Sequence, residues 1–240
     1  MKKDRIFAEE KNKADFNFGK ETAEVFDDML QRSIPLYDEC QRMIGEICNE
    51  FAQDGTNIYD LGCSTGITLM NLSKAVNQEV KFVGMDYSQA MLDKCEEKFK
   101  EMKFSKPFKL ICQDLNEPVK IENASVVVLN LTLQFVRPLY RDRLIQTISA
   151  GLKDNGTLIV VEKVLGNDSG FNRMFIKLYY DFKKRQGYSE LEISQKREAL
   201  ENVLIPYRLQ ENEELFRRNG FKQVDVFYKW YNFCGIIAIK

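Results

Sequence analysis

Histidine is absent from all 240 residues of this chain. That one absence removes Ser-His-Asp and Cys-His catalysis, imidazole metal sites and the commonest general base. Chemistry is left to carboxylates, Tyr, Lys, Arg, Cys or a bound small molecule. Of the six cysteines, Cys40, Cys48, Cys63, Cys95, Cys112 and Cys234, none forms a C-x-x-C pair. Neither a redox dithiol nor a zinc ribbon is indicated, and they read as free thiols. An excess of one charge is missing too, with 35 Lys and Arg against 36 Asp and Glu. This excludes a global pull toward nucleic acid or anionic lipid. No apolar run approaches the ~20 residues that span a bilayer. The start, Met1-Lys2-Lys3-Asp4-Arg5, leads into mixed charge without the apolar stretch of a signal peptide. The expectation is a cytoplasmic protein with no membrane partner, no metal and no direct nucleic-acid partner.

What is present suits a folded core, with 44% hydrophobic and 30% charged residues. Residues 1–18 are polar and read as a loosely held arm. Val25, Phe26, Met29 and Leu30, then Tyr37, Cys40, Ile44 and Ile47, recur at helical spacing, with a break at Ser33-Ile34-Pro35. Short apolar strands follow at 56–61, 80–85, 108–112, 124–129 and 157–161, separated by helical patterns. Ser88 is placed to cap one helix, and another stops near Asn155-Gly156. Such alternation predicts an α/β fold with a mostly parallel, doubly wound sheet. The runs 221–228 and 231–239 lie too close together for a crossover and predict an antiparallel hairpin at the sheet edge. Residues 169–204 break the alternation and predict two helices split at Gly187-Tyr188, with Ser189 and Glu192 at capping-box spacing. The organisation expected is one domain over 1–240, with N-terminal helices at about 19–52, a sheet core at about 56–163, a helical lid at about 169–204, and a helix with antiparallel strands at about 210–240.

Chemistry concentrates at Asp60-Leu61-Gly62-Cys63-Ser64-Thr65-Gly66, between a strand and a helix. Glycines there permit a sharp turn and close approach to a ligand. The G-x-S-x-G reading, a hydrolase nucleophile elbow, fails because its serine needs a histidine. The dinucleotide fingerprint requires glycine where Ser64 stands. The run instead resembles the first motif of Rossmann-like enzymes that bind S-adenosylmethionine. Asp86 ends the second strand, 24 residues after Gly62, where a carboxylate can accept both ribose hydroxyls. Asp114 follows the third strand, level with an adenine, and Asn130 ends the fourth, beside the amino-acid portion. Asn130-Leu131-Thr132-Leu133-Gln134-Phe135 lacks the prolines of nucleic-acid amino-methyltransferases, and no Pro-Cys dipeptide occurs.

Longer runs narrow the family. They are Phe26-Asp27-Asp28-Met29-Leu30-Gln31-Arg32-Ser33-Ile34-Pro35, Tyr59-Asp60-Leu61-Gly62-Cys63-Ser64, Ile121-Glu122-Asn123-Ala124-Ser125 and Val128-Leu129-Asn130-Leu131-Thr132-Leu133-Gln134-Phe135. The most specific is Gly187-Tyr188-Ser189-Glu190-Leu191-Glu192-Ile193-Ser194-Gln195-Lys196-Arg197. From about Phe18 to Lys240 the chain resembles the carboxy-S-adenosyl-L-methionine synthases of the tRNA wobble-uridine modification pathway. The resemblance implies a class I methyltransferase-like fold with a seven-stranded sheet. It implies a reaction of S-adenosylmethionine with prephenate, giving carboxy-S-adenosylmethionine and phenylpyruvate, and a product passed to a separate tRNA carboxymethyltransferase. It also implies a homodimer and assigns ligand contacts to Tyr37, Gly62, Cys63, Ser64, Asp86, Tyr87, Asp114, Leu115 and Asn130. Arg197 is implied as the cationic partner of the new carboxylate, from its own or the neighbouring subunit. In one respect the chain departs from the pattern: Tyr179-Tyr180 stands before Asp181-Phe182, where the family leads one to expect histidine. A conventional methyltransferase acting on a small acidic metabolite would use the same Gly62, Asp86 and Asp114, and a non-catalytic ligand sensor on this fold is the third reading.

Overall fold

The computed structural model describes residues 2–10 and 15–240. The apolar runs become the strands β1 (Asn57–Leu61), β2 (Lys81–Asp86), β3 (Phe108–Cys112), β4 (Ala124–Asn130), β5 (Leu152–Leu165), β6 (Tyr207–Arg208), β7 (Gln223–Trp230) and β8 (Phe233–Ile239). The sheet runs β3-β2-β1-β4-β5-β8-β7, with β6 pairing β5 off that path. Strands β1 to β5 are parallel along the path, and β8 is antiparallel to both β5 and β7. Seven strands with an antiparallel edge thus agree with the sequence pattern. The two-residue β6 is additional, because a Tyr-Arg pair carries no periodicity to read. The winding reverses between β1 and β4, so a ligand crevice opens at the carboxyl ends of those strands.

The helices are α1 (Lys20–Ser33), α2 (Tyr37–Phe51), α3 (Ile67–Ala75), α4 (Gln89–Glu101), α5 (Pro138–Gly151), α6 (Ser169–Arg185), α7 (Glu190–Leu200) and α8 (Leu209–Arg218). Pro35 excludes Ile34 from helical dihedrals, and Ile34 sits at φ −105°, ψ 119°. Ser88 caps α4 by accepting the Met91 N–H. At α7 both halves of the capping box form: Ser189 accepts the Glu192 N–H at 3.2 Å, and Glu192 accepts the Ser189 N–H at 2.7 Å. Among the described residues no helix is long and apolar enough to cross a membrane.

Strand alternation divides the core between two faces. Tyr59 and Leu61 point to the side covered by Leu144, Ile145 and Ile148 of α5 and by Phe216 of α8. Ile58 points to the other, against Ile44 of α2, Leu72 of α3 and Phe99 of α4. Each such fully buried side chain contributes ~1.5–3 kcal/mol, which holds the strand ends that carry the site in fixed register.

Two sequence expectations are corrected. Helix α5 stops at Gly151 rather than near Asn155-Gly156, because the strand ladder starts earlier. Leu152 already pairs with Ala124, the register then slips before Thr157 meets Val126, and Asn155 lies at φ 58° inside that bulge. The N-terminal arm, read as loose, is anchored. Asp4 is buried, its N–H donates to Asp28, and Gln195 donates to the carbonyls of Phe7 and Glu9. The Phe16 N–H donates to the Ala199 carbonyl at 2.9 Å. Polar composition misleads here because a buried carboxylate, long-range hydrogen bonds and the scattered apolar Ile6, Phe16 and Phe18, rather than a periodic apolar stripe, fasten the segment. Residues 11–14 of the arm lie outside the described residues.

Candidate active site

The turn after β1 is shaped by its glycines. Gly62 has φ 79°, and a Cβ there would collide with the Thr132 side chain. Gly66 has φ 81°, and a Cβ would meet Cys95 Sγ. The N–H groups of Gly62 and Cys63 both donate to the Met85 carbonyl, at 2.7 and 3.0 Å, and pin the turn to the end of β2. Two non-glycine residues on the same rim, Ser64 at φ 47° and Leu131 at φ 61°, adopt left-handed conformations. These cost ~1–2 kcal/mol each, strain of the kind that gathers at ligand sites.

Asp86 is buried beside this turn, its two oxygens accepting the N–H groups of Ser64 and Ser88, each at 2.9 Å. Burial pushes its pKa up, while those N–H donors oppose the rise. Asp60, 1% exposed, has one carboxylate oxygen without a partner among the described residues. Burial, reinforced by the Asp86 charge, pushes its pKa to about 8, so it is mainly protonated at neutral pH. Gln41 donates to the Tyr37 hydroxyl at 2.9 Å and to Thr68 Oγ1 at 3.1 Å, and Asn130 donates to the same Thr68 oxygen at 3.2 Å. Asn130 Oδ1 is buried and has no partner among the described residues. An acceptor in that state costs ~1–3 kcal/mol unless a ligand donor meets it.

One cavity collects most of these groups: Gly62, Cys63, Ser64, Asp86, Tyr37 and Asn130 line it. Tyr87, Asp114 and Leu115 line it too. Asp114 is exposed there and accepts both the N–H and the side-chain amide of Asn116 at 2.8 Å. The Phe18 ring, from the arm, stands edge-on to Tyr87 and Phe135, with centroids at 6.0 and 5.3 Å. A diol acceptor, an aromatic-walled slot and an orphaned amide oxygen in one cavity fit an adenosyl group joined to an amino acid. The residues present suit S-adenosylmethionine, and among the described residues no cluster of potential ligands is arranged to hold a metal.

Comparison with known proteins decides the family. A methyltransferase-domain model matches residues 58–156. The carboxy-S-adenosyl-L-methionine synthase of Methylococcus capsulatus is 56% identical over 242 residues, covering 100% of both chains. That of Desulfotalea psychrophila is 41% identical over 240 residues, covering 100% of this chain and 98% of its own. The chain belongs to the carboxy-S-adenosyl-L-methionine synthase family. In fold it also resembles an O-methyltransferase family protein from Burkholderia thailandensis, with a TM-score of 0.69 at 16% identity, over 95% of this chain and 65% of that one.

Arg197, assigned to the site by the resemblance to the synthases, stands apart from the other nine residues. It is exposed and lines a second cavity, which shares Lys163, Tyr179, Lys196, Leu200 and Leu204 with the first. The cause is helix geometry. Ile193, Lys196 and Ala199 of α7 face inward, and the next residue after Lys196 is turned ~100° away. Of the Tyr179-Tyr180 pair, Tyr179 lines both cavities and donates its hydroxyl to the Ser33 carbonyl at 3.0 Å. Tyr180 lines only the second. Sequence reading missed Phe16, Phe18, Lys163 and Lys196 on the cofactor cavity. The aromatics alternate at 16 and 18 as in a strand, and nothing local announces a ligand wall. Lys196 lies inside the most family-specific run, which was the available signal.

Proposed function

We propose that this chain converts S-adenosylmethionine and prephenate to carboxy-S-adenosylmethionine and phenylpyruvate. The observation that carries it is full-length 56% identity to a synthase of that name, joined to a cavity whose polar groups suit an adenosyl amino acid. In this reading Asp86 holds the ribose hydroxyls, Asp114 and Leu115 the adenine, and Asn130 Oδ1 the ligand's ammonium. Tyr37, Tyr87 and the Gly62-Cys63-Ser64 turn enclose the sulfonium and ribose. Loss of the ring carboxylate of prephenate as carbon dioxide drives out its hydroxyl as hydroxide. The hydroxide takes a proton from the sulfonium methyl and leaves as water. The resulting methylide carbon bonds carbon dioxide, so every atom is accounted for without a histidine base.

The protein acts as one domain, a homodimer in the cytoplasm, with Arg197 pairing the new carboxylate across the subunit interface. That placement is supported by its position on the second cavity and not on the lining of the cavity that holds Asp86. The product then serves a tRNA carboxymethyltransferase acting on wobble uridine. The deciding experiment is mass spectrometry of the small molecule that co-purifies with the protein. A species heavier than S-adenosylmethionine by one carbon dioxide, lost in Arg197→Leu, is expected. S-adenosylmethionine or its demethylated form alone, even with prephenate supplied, would leave an ordinary methyltransferase as the better reading.

A further inference from the structure

The second cavity is lined by three lysines from three elements. Lys163 comes from β5, Lys183 from α6 and Lys196 from α7. Lys163 and Lys196 line both cavities, and Lys183 lines the second only. Lys183 and Lys196 are buried, 4% and 7% exposed. Two aromatic rings join the three. Lys163 Nζ lies 4.6 Å and Lys183 Nζ 5.8 Å from the Tyr179 ring centre, and Lys183 and Lys196 lie 5.1 and 5.7 Å from that of Tyr188.

Their charge is poorly balanced from within. Among the described residues the one carboxylate at ion-pair distance is Asp4, 3.9 Å from Lys196. Arg32 lies on the same Tyr188 ring, 4.0 Å from its centre, and adds positive charge. Arg197 and the exposed Glu201 are the remaining charged residues on the second cavity. Buried cations without partners are costly, and burial depresses all three lysines, Lys163 and Lys196 to about 7 and Lys183 to about 8. Asn232 makes an independent case: it is 8% exposed, lines the second cavity, and its Oδ1 has no partner among the described residues. The cavity has about 220 Å³, against about 180 Å³ for the first, so it accommodates a small molecule rather than a single water.

Resting on the synthase reading above, we propose that Lys163, Lys183 and Lys196 form the site for the second substrate, gripping the carboxylate that the 2-oxo acid product retains. Chemistry selects that carboxylate over the one lost. An ion pair to the departing group stabilises the ground state and vanishes as neutral carbon dioxide forms, which slows the reaction. An ion pair to the retained group persists throughout and aims the other carboxylate across the shared wall, toward the cofactor cavity. The unpartnered Asn232 oxygen adds a hydrogen-bond acceptor to the same cavity.

The test is Lys183→Met in the full-length protein, because Lys183 does not line the cofactor cavity. The expected result is a rise of about tenfold or more in the KM for prephenate, and an equal rise in the inhibition constant of phenylpyruvate. S-adenosylmethionine affinity by calorimetry stays within about twofold. Lys183→Arg retains a cation and restores both constants, which a purely structural role for the lysine would not produce. If Lys183→Met melts early, Lys183→Gln, which keeps a polar side chain but no charge, supplies the same comparison. Unchanged constants in both variants would overturn the proposal. Should the wild type fail to turn over prephenate, the synthase reading fails separately. Phenylpyruvate binding to wild type by calorimetry then decides: binding abolished in the variants supports the lysine site, and no binding to wild type overturns it.

Discussion

Tyr188 donates its hydroxyl hydrogen to Asp4 at 2.7 Å, tying the first residues of the chain to the loop between α6 and α7. The same carboxylate faces Lys196, and Arg32 donates to the Asp4 carbonyl at 3.2 Å. The arm, α1 and the lid helices therefore share one buried polar knot, and Phe16 and Phe18 reach the cofactor cavity from it.

Asp4→Ala removes the acceptor and leaves Tyr188 and Lys196 buried without it. The expected loss is about 2–3 kcal/mol, seen as a lower urea midpoint. Weaker S-adenosylmethionine binding should accompany it as the arm's aromatics loosen. An unchanged midpoint would show that the knot is incidental.

Asp86→Ala removes the acceptor proposed for the ribose hydroxyls and leaves the Ser64 and Ser88 N–H groups facing a hole. Affinity for S-adenosylmethionine is expected to fall by about 2–3 kcal/mol, or roughly 30–150-fold, by calorimetry. A native near-ultraviolet circular dichroism spectrum separates this from unfolding. Binding within threefold of wild type, on the order of 0.6 kcal/mol, would remove Asp86 from the site.

Gly62→Ala places a methyl against Thr132 at a positive φ. Both effects act on the turn itself, so ligand binding should weaken more than stability falls. About 1–2 kcal/mol of stability is the expected cost. Differential scanning calorimetry with and without S-adenosylmethionine reads the two effects separately, and an undiminished ligand-induced rise in Tm would contradict the close approach.

Asp60 titrates near pH 8 in the folded protein against 3.8 for an ordinary aspartate, because of burial and then the Asp86 charge. Its folded pKa is raised, so its contribution to stability is whole below about pH 4 and is lost as pH rises to about 8. Asp60→Asn mimics the protonated form and should gain stability over wild type between pH 5 and pH 9, by about 1–3 kcal/mol. Parallel stability curves across that range would mean that Asp60 ionises normally.

Binding of the second substrate should weaken with rising pH. Lys163 and Lys196 titrate near 7 and Lys183 near 8, mainly through burial and then, for Lys163 and Lys196, through the charge of Lys183. Facing them are Asp4 from the arm, Arg32 of α1, Tyr179 of α6, Tyr188, and Glu192 of α7, none of which adds a cation as pH rises. A carboxylate ligand favours the protonated lysines, so its uptake binds protons. The KM for prephenate should climb about tenfold or more from pH 7 to pH 9, while S-adenosylmethionine affinity moves less. A flat KM across that interval would show the lysines neutral or remote from the substrate.

The α/β class was legible because β4 carries the unbroken apolar run Val126-Val127-Val128-Leu129, buried on both faces in the way parallel strands require. The capping box at Ser189 was legible because it spans only three residues. Gly62, Ser64 and Asp86 stand out for a related reason: turn and strand end are local features, and their separation reflects one βαβ unit. The anchored arm was illegible, since Asp4 meets Tyr188 and Lys196 only after helices far along the chain have packed. The bulge at Asn155 was equally hidden, because its cause is the pairing of Leu152 with Ala124 on another strand.

The amino-acid sequence by itself determined the chemistry open to this protein, the family and the glycine turn after β1. Those depend on residue types and short spacings, which backbone geometry converts directly into local structure. Only the tertiary structure decided that Lys163, Lys183 and Lys196 share one wall, and that Arg197 faces a different cavity from Asp86. A charge becomes a site only when burial removes water from it and the packing of distant elements sets its partners, and no local pattern encodes either.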